Sequence, residues 1–543
     1  PQGRFPGDAV TTPLAEPSFI RYNRYNEWAA YFNDAWRIRP GLTLNLGLRY
    51  EYFGVQHNKF PELDSNFYFG SGSTLQERIR NGSVRVAADS PAGGLWRPDK
   101  NNFAPRVGFA WDVTGDGRTS LRGGYGVSYE RNFGNVTYNV IQNPPSQAVV
   151  SITAGTTPGF PSIPLSLDNL GPVAGGGQTI RVPETSLRHV REDIRNAYAH
   201  FWSAAFEREL GRGTVASVEY SGSAGRSLYS LENINRAGYG PVYLGGNATT
   251  PTGGSSSRLN GQYGDINTRG NNGYSDYNAL IFGVESNDFR KTGLQLTARY
   301  TFSSARDNLS STFSDANYNY NLGLLDPFDP SLDYGPADFD ARHRFTSSFA
   351  YEVPFFDKLG GGAARQLLGG WTLTGIFNAR TGNPFSVWDC TTGVLNTCTR
   401  FIPGGALSLT GSGNPPASVD AGGNPVANSF DYLPLPTSIL FTNPTAGNGA
   451  VGPFPAEMTR RNAFRGPGFW NFDAGLYKRI RFNEKYSLQL RFEAFNVFNH
   501  ANLFIDPNNL DASGTNAVTA VRGVFPSGNL ERRNVQLAAK FVF

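Results

Sequence analysis

Hydrophobic and polar residues alternate along several stretches of this 543-residue chain. The clearest stretch runs from Asn26 to Phe53. A strand over Glu27 to Ile38 meets the turn Arg39-Pro-Gly41. A second strand follows, in which Leu42, Leu44, Leu46, Leu48, Tyr50 and Tyr52 share a face. Thr43, Asn45, Gly47, Arg49 and Glu51 share the other. A period of two marks a strand with unlike surroundings on its two sides. The same unit recurs as Arg106 to Val113 with Thr119 to Tyr129, Ala197 to Leu210 with Thr214 to Tyr220, and Asn278 to Phe289 with Gly293 to Phe302. Two more are Arg344 to Val353 with Gly370 to Arg380, and Trp470 to Ile480 with Tyr486 to Phe498. The chain closes on one further alternating strand, Asn534 to Phe543, with Val535, Leu537, Ala539, Phe541 and Phe543 on one face.

Six hairpins and this last strand predict about thirteen strands, joined alternately by short turns and by long polar stretches at 54–103, 130–195, 221–276, 303–341, 383–469 and 499–530. Those stretches are rich in Gly, Asn, Ser and Pro and read as loops. Arg49 and Glu51 would be costly to bury in a sandwich core. An apolar band against lipid with a wet lumen behind it accommodates both faces, and short turns on one side with long loops on the other fit the same architecture. The expected fold is therefore all-β: a transmembrane antiparallel β-barrel. Arg122, Arg299, Arg491 and Glu493 join Arg49 and Glu51 as candidates for the lumen face, and Leu44, Leu46, Leu296 and Leu490 for the lipid face. The first and last strands both run toward the short-turn side. That odd count predicts an odd number of further strands upstream, because single-chain bacterial barrels usually have even counts.

Composition narrows the alternatives. Hydrophobic residues make up 39% of the chain, and no run reaches the roughly 18 apolar residues of a membrane-spanning helix. Aromatics at 13% suit interfacial girdles, and the 64 glycines suit turns and close packing. A net charge of +4 over this length argues against a nucleic-acid partner. The two cysteines, Cys390 and Cys398, lie close together in a Thr/Gly/Asn stretch and read as a loop disulfide, with two unpaired thiols as the alternative. No His or third Cys stands near them to make a metal site.

Other motifs carry less. Gly447-Asn-Gly-Ala-Val-Gly452 has dinucleotide spacing, but Pro444 and Pro453 bracket it, so it reads as a loop. Asp112-Val-Thr-Gly-Asp-Gly117 has Gly123 where a calcium loop needs its bidentate Glu, so it reads as a hairpin turn. His57, His189, His200, His343 and His500 show no metal-ligand spacing, and His343 and His500 are expected to hydrogen-bond near strand ends. No catalytic or cofactor-binding set is expected.

Several segments resemble the TonB-dependent receptor barrel, in its Oar-like branch. They are Trp28-Ala-Ala-Tyr-Phe-Asn-Asp-Ala-Trp36 with Leu42-Thr-Leu-Asn-Leu-Gly-Leu-Arg-Tyr50, Asn102-Phe-Ala-Pro-Arg-Val-Gly-Phe109, and Tyr277-Asn-Ala-Leu280. Phe339-Asp-Ala-Arg-His-Arg-Phe345, Arg465-Gly-Pro-Gly-Phe-Trp470 and, most specifically, Arg491-Phe-Glu-Ala-Phe-Asn-Val-Phe-Asn-His500 complete the set. The terminal strand resembles the assembly signal of bacterial outer-membrane barrels, with Phe541 and Phe543 as its aromatic residues. The resemblance implies residues 1–543 to be the C-terminal portion of one 22-stranded barrel, with about nine strands upstream. A plug, a TonB box and a small β-sandwich domain belong to that family and are absent from this stretch. Expected partners are outer-membrane lipid, the TonB complex through the missing N-terminal part, the barrel assembly machinery and an unidentified solute. The implied function is uptake or export of a large solute across the outer membrane; a plugless passive channel and a surface adhesin are the alternatives.

Overall fold

Thirteen long strands form one antiparallel sheet in which each strand pairs with its neighbours in sequence. They are β1 (Glu27–Arg39), β2 (Leu42–Phe53), β3 (Asn102–Asp112), β4 (Thr119–Glu130), β5 (Ala197–Gly211), β6 (Thr214–Asn233) and β7 (Ile266–Ser286). The rest are β8 (Leu294–Asp307), β9 (His343–Glu352), β10 (Trp371–Arg380), β11 (Phe469–Arg481), β12 (Ser487–Phe495) and β13 (Asn534–Val542). The computed structural model describes residues 5–543 apart from 7, 12–18, 133, 146–178, 182–183, 212, 236–257, 290–291, 311–323, 355–361, 363–365, 367, 390–398, 439–456, 513–514 and 523–531. Cys390 and Cys398 lie outside the described residues, as does the whole of 447–452.

The ladder sorts the strands into two faces. Leu46 pairs with Val107, Val107 with Tyr125, and Tyr125 with Trp202. Further along, Leu296 pairs with Phe349, and Leu490 with Ala539. Paired residues of an antiparallel ladder project to the same side, so these contacts trace one apolar face across the sheet. Leu46, Phe206, Phe282, Phe492 and Leu537 on it are all exposed. Rings lie flat over glycines of adjacent strands: a side chain at Gly222 would collide with the Trp202 indole, and one at Gly375 with the Phe349 ring. Polar residues interrupt this face at several points, among them His200, Arg208, Asn278 and Ser347. Asp34 on the edge strand pairs with Leu46. Lys478 pairs with Leu490, and its Nζ donates to the Gly369 carbonyl at the sheet's inner end, as a snorkelling lysine does.

Aromatic residues gather at the outer ends of the strands. Trp28 packs on Tyr50 at 5.1 Å and Tyr50 on Phe103 at 4.7 Å between centroids. The Tyr125 hydroxyl bonds His200 Nδ1 at 2.7 Å, and the Tyr300 hydroxyl bonds His343 Nδ1 at 2.7 Å. His343 thus hydrogen-bonds near a strand end. At the inner ends, the Arg39 guanidinium lies 5.6 Å from the Trp111 ring centroid. The inner connections are short; Gly41 takes φ +82° in the two-residue turn between β1 and β2, a conformation that favours glycine.

Among the long strands, two departures from the sequence expectation stand out. First, β6 and β7 run through 221–233 and 266–276, which the sequence reads as loop. Their polar, glycine-rich outer halves pair with each other up to Asn233↔Asn267, through register shifts between Gly225 and Ser230. At about 3.3 Å per residue these 20- and 21-residue strands are twice as long as a bilayer core requires. Alternation cannot announce such a ribbon, because both of its faces are wet or packed under loops. Second, β12 stops at Phe495 rather than 498. Asn496 and Asn499 adopt φ +50° and +51°, and the Asn496 side chain receives the His500 amide at 2.9 Å and donates to its carbonyl at 2.8 Å. The most specific motif of the sequence is therefore a strand stop built from two left-handed asparagines.

The long connections are not structureless. Residues 417–419, 425–434, 517–522 and 503–505 form a four-stranded sheet of their own. Beneath it Phe385, Val387, Trp388, Phe401, Leu433, Phe464 and Val518 form a buried core. A second core joins Phe67, Ile79, Leu187, Tyr263 and Ile266. A third joins Leu95, Trp96, Val136, Val140 and Ile194. The long connections fold into a packed outer layer over one end of the sheet.

The two edges of the sheet are bare. β1 pairs with β2 alone and β13 with β12 alone, and both edge strands are exposed along their whole length.

Candidate functional site

The face opposite the apolar one is mostly small and polar, with Phe201, Ile281 and Ile376 among its exceptions, and it carries the charged candidates. Arg49 and Glu51, one residue apart on β2, join at 2.8 Å. Arg122 of β4 reaches Glu207 of β5. Arg299 of β8 meets Glu285 of β7 at 2.6 Å. Arg491 donates to Gln489 at 2.9 Å and lies 5.8 Å from the Tyr477 ring centroid, while Glu493 accepts from the Tyr477 hydroxyl at 2.7 Å. The register puts small or neutral residues opposite these charges: Ala205 opposite Arg122, Gly283 opposite Arg299 and Gly475 opposite Glu493. Arg122 and Arg299 can therefore lean diagonally to a carboxylate two residues along the neighbouring strand, Glu207 and Glu285. The six charged residues share the polar face but form four separate groups rather than one constellation. Pairs as exposed as Arg299–Glu285 contribute about 0–1 kcal/mol. Their effect is a wall of alternating sign that a polar surface can lie against.

The outer rim holds a different kind of charge. Arg461 is buried and donates to Asp307 at 2.5 Å and to Asp338 at 2.8 Å, and Asn462 also donates to Asp338, at 2.6 Å. Arg465 donates to the Asp340 carboxylate and, at 3.0 Å, to the Asp340 carbonyl. Asp340 in turn accepts the Ala305 amide at 2.7 Å. Buried Arg400 engages Asp333. These bonds fasten the connection between β10 and β11 to the outer end of β8 and to the connection between β8 and β9. Two motifs of the sequence, Phe339–Phe345 and Arg465–Trp470, thus meet in space. Nothing in spacing could have found Arg461 with Asp307, which stand 154 residues apart.

His189 is fully buried against Phe67 and Phe69, with Nδ1 3.0 Å from the Thr268 hydroxyl. Burial, helped by the nearby Arg191 and Arg269 cations, pushes its pKa down to about 3, so it is neutral over the physiological range. Asp64, joined to Arg21 at 2.5 Å, is held above the usual carboxylate range because burial outweighs its arginine partner. No group of three or more metal-ligating side chains occurs among the described residues, and none of the five histidines takes part in one.

Residues 7–536 match the family described as the outer membrane beta barrel domain. No curated protein matches the sequence. Among solved structures, the FrpB iron transporter from Neisseria meningitidis is 12% identical with a TM-score of 0.39, and the match covers 96% of this chain and 46% of that one. The outer membrane transporter YddB from Escherichia coli is 11% identical with a TM-score of 0.41, over 96% of this chain and 54% of that one. The Ferric-Catecholate import receptor Fiu from K12 E. coli is 11% identical with a TM-score of 0.38, over 96% and 45%. This chain spans about half the length of each of those chains. With TM-scores below 0.5, assignment rests on the family match over nearly the whole length and on the two-faced strand ladder that fits it. The chain belongs to the outer membrane beta barrel domain family, and the outer membrane is where it resides.

Proposed function

We propose that this chain is the C-terminal part of a TonB-dependent transporter that moves a solute across the outer membrane. The observation that carries the reading is the sheet itself: one face is mainly apolar across thirteen strands, the other carries most of the charges, and both edges are open. Open backbone edges are not tolerated in lipid, which supports further strands between β13 and β1 to complete a barrel. The polar face then lines the lumen, and Arg49, Glu51, Arg122, Arg299, Arg491 and Glu493 contact a plug rather than hold a reaction centre. Phe541 and Phe543, at the end of the exposed edge strand, serve as the signal read by the assembly machinery. TonB acts through parts outside this stretch. The named solved structures are transporters, and their names agree with transport as the class of activity.

The test is uptake by cells carrying the full-length gene, with and without a working TonB complex. Loss of solute accumulation when TonB is removed supports the reading. Flux that persists without TonB and without a proton gradient favours a passive channel. Residues 1–543 expressed alone with a signal peptide should aggregate or be degraded. A stable, heat-modifiable monomer from that stretch would refute the need for further strands.

A further inference from the structure

Beneath the four-stranded sheet of the outer layer, where it meets the ends of β10 and β11, lies a cavity of about 840 Å³. That volume is in the range of small-molecule sites. Its walls include Arg380, Phe430, Phe469, Trp470, His500 and Arg522, and no Asp or Glu lines it. Both arginines lie against rings: the Arg522 guanidinium is 4.8 Å from the Phe430 centroid and the Arg380 guanidinium 5.3 Å from the Phe469 centroid. Trp470 stacks on His500 at 4.1 Å with an interplanar angle of 22°, presenting a flat aromatic wall.

The charge around this cavity is one-sided. On the ladder, Arg380 of β10 stands directly opposite Arg344 of β9. Like charges directly opposed across strands are destabilising. The next residues in the same rung are neutral: Thr301 beyond Arg344 and Phe469 beyond Arg380. The residues one step down the face, Thr346 and Asn378, are neutral too. Arg380 donates to Asn383 Oδ1, a neutral acceptor. Elsewhere on the rim, arginines are neutralised by aspartates, as Arg461 and Arg465 are; here two cations face each other and a third lies across the cavity with no carboxylate in its lining.

We propose that this cavity binds an organic anion, a phosphate or carboxylate carried on a ring or acyl group, with Arg380 and Arg522 holding the anionic group and Trp470 and Phe430 the apolar part. The inference deepens the transport reading by naming the chemistry its outer site accepts. A soluble solute and the phosphorylated headgroup of an outer-leaflet lipid share that chemistry.

The experiment uses the full-length protein purified in a zwitterionic detergent, titrated with 1-naphthyl phosphate and, as control, 1-naphthol. The phosphate should bind at least about tenfold tighter, and R380Q and R522Q should each weaken it by about tenfold, as loss of a charged hydrogen bond does. Arg344→Gln should weaken it less. N414D places a carboxylate in the lining on an exposed loop, where folding is not at stake, and should repel the phosphate while leaving naphthol unchanged. Equal affinity for the two probes, or binding indifferent to R380Q, R522Q and N414D, would overturn the proposal. Repeating the titration in vesicles with and without diphosphorylated lipid A separates the sources: competition by the lipid identifies it as an occupant, and no competition assigns the site to soluble anions. Equilibrium binding needs no energy input. Binding without TonB-dependent uptake would sink the transport reading alone, and uptake without anion-selective binding would sink this one alone.

Discussion

The spanning sheet and the outer layer bury opposite things. In the sheet, large apolar side chains point outward, and Leu537 on β13 is 75% exposed. In the outer layer Phe401, Phe464 and Val518 are 0% exposed, as in any water-soluble domain. The sheet is organised for hydrocarbon outside and water inside, the layer for water outside and hydrocarbon inside. Charge follows the same inversion. Sheet pairs such as Arg299–Glu285 are half exposed, whereas Arg461, Asp307 and Asp338 are desolvated together. One chain thus obeys two solvents, and the change of rule falls at the aromatic girdle formed by Trp28, Tyr50, Tyr125 and Tyr300.

The strongest way to break this comparison is to remove a buried cation from the layer. Arg461→Leu leaves Asp307 and Asp338 buried without their partner and should cost about 3–5 kcal/mol locally. Limited proteolysis should then cut the connection between β10 and β11 while the barrel still shifts on heating in a gel. If the barrel itself fails, layer and sheet are one cooperative unit. Next, Leu46→Arg or Leu296→Arg should cost about 2–4 kcal/mol at the membrane midplane, measured by unfolding in lipid vesicles. Thr297→Arg, one position along on the polar face, should cost far less; equal costs would remove the distinction between faces.

The cysteines sharpen the picture further. The flanking residues Trp388 and Asp389 pair antiparallel with Arg400 and Thr399, which brings both ends of 390–398 together. We propose that Cys390 and Cys398 are bonded. A loop this short gives about 2–3 kcal/mol in the chain-entropy model. Replacing both with serine should loosen the layer around Trp388 and leave the sheet unchanged, whereas two thiols that react without reductant would disprove the bond.

Taken one pH unit at a time, the effect of acid is the smallest. His189 has a folded pKa of about 3 against 6.5 when unfolded, so below pH 6.5 the unfolded layer binds a proton that the folded layer does not. The stability of the layer should fall as pH drops from 6.5 toward 3, by at most about 1.4 kcal/mol per unit. Hydrogen-exchange protection of 65–69 and 187–190, corrected for intrinsic rates, should show that slope in the wild type and lose it in His189→Phe. A slope retained by the variant would assign the effect to other groups.

The sheet was legible because each strand writes its two environments into alternate residues. Leu42 to Tyr52 and Leu294 to Phe302 need no partner to be read. The layer was not legible. Phe385, Phe401, Phe464 and Val518 follow no common period, since each enters its core from a different short segment. The Arg461–Asp307 and Arg465–Asp340 bonds join residues whose separation carries no signal. The outer halves of β6 and β7 failed for a third reason: Ser, Gly and Asn dominate them, and pairing with each other and with neighbouring segments makes them strand. The six charged residues of the polar face were readable as a face, but not as four separate groups, because that depends on which neighbour each can reach.

The ladder has a kinetic meaning. Every long strand pairs with the one made just before it, so the sheet can grow hairpin by hairpin with short loop closures at each step. The four-stranded sheet above it cannot. Its 425–434 strand pairs with 517–522, which reaches the outside only after β11 and β12 have been laid down. The four-stranded sheet can therefore close only once β11 and β12 are in place and the connection that leads to β13 has reached the outer side.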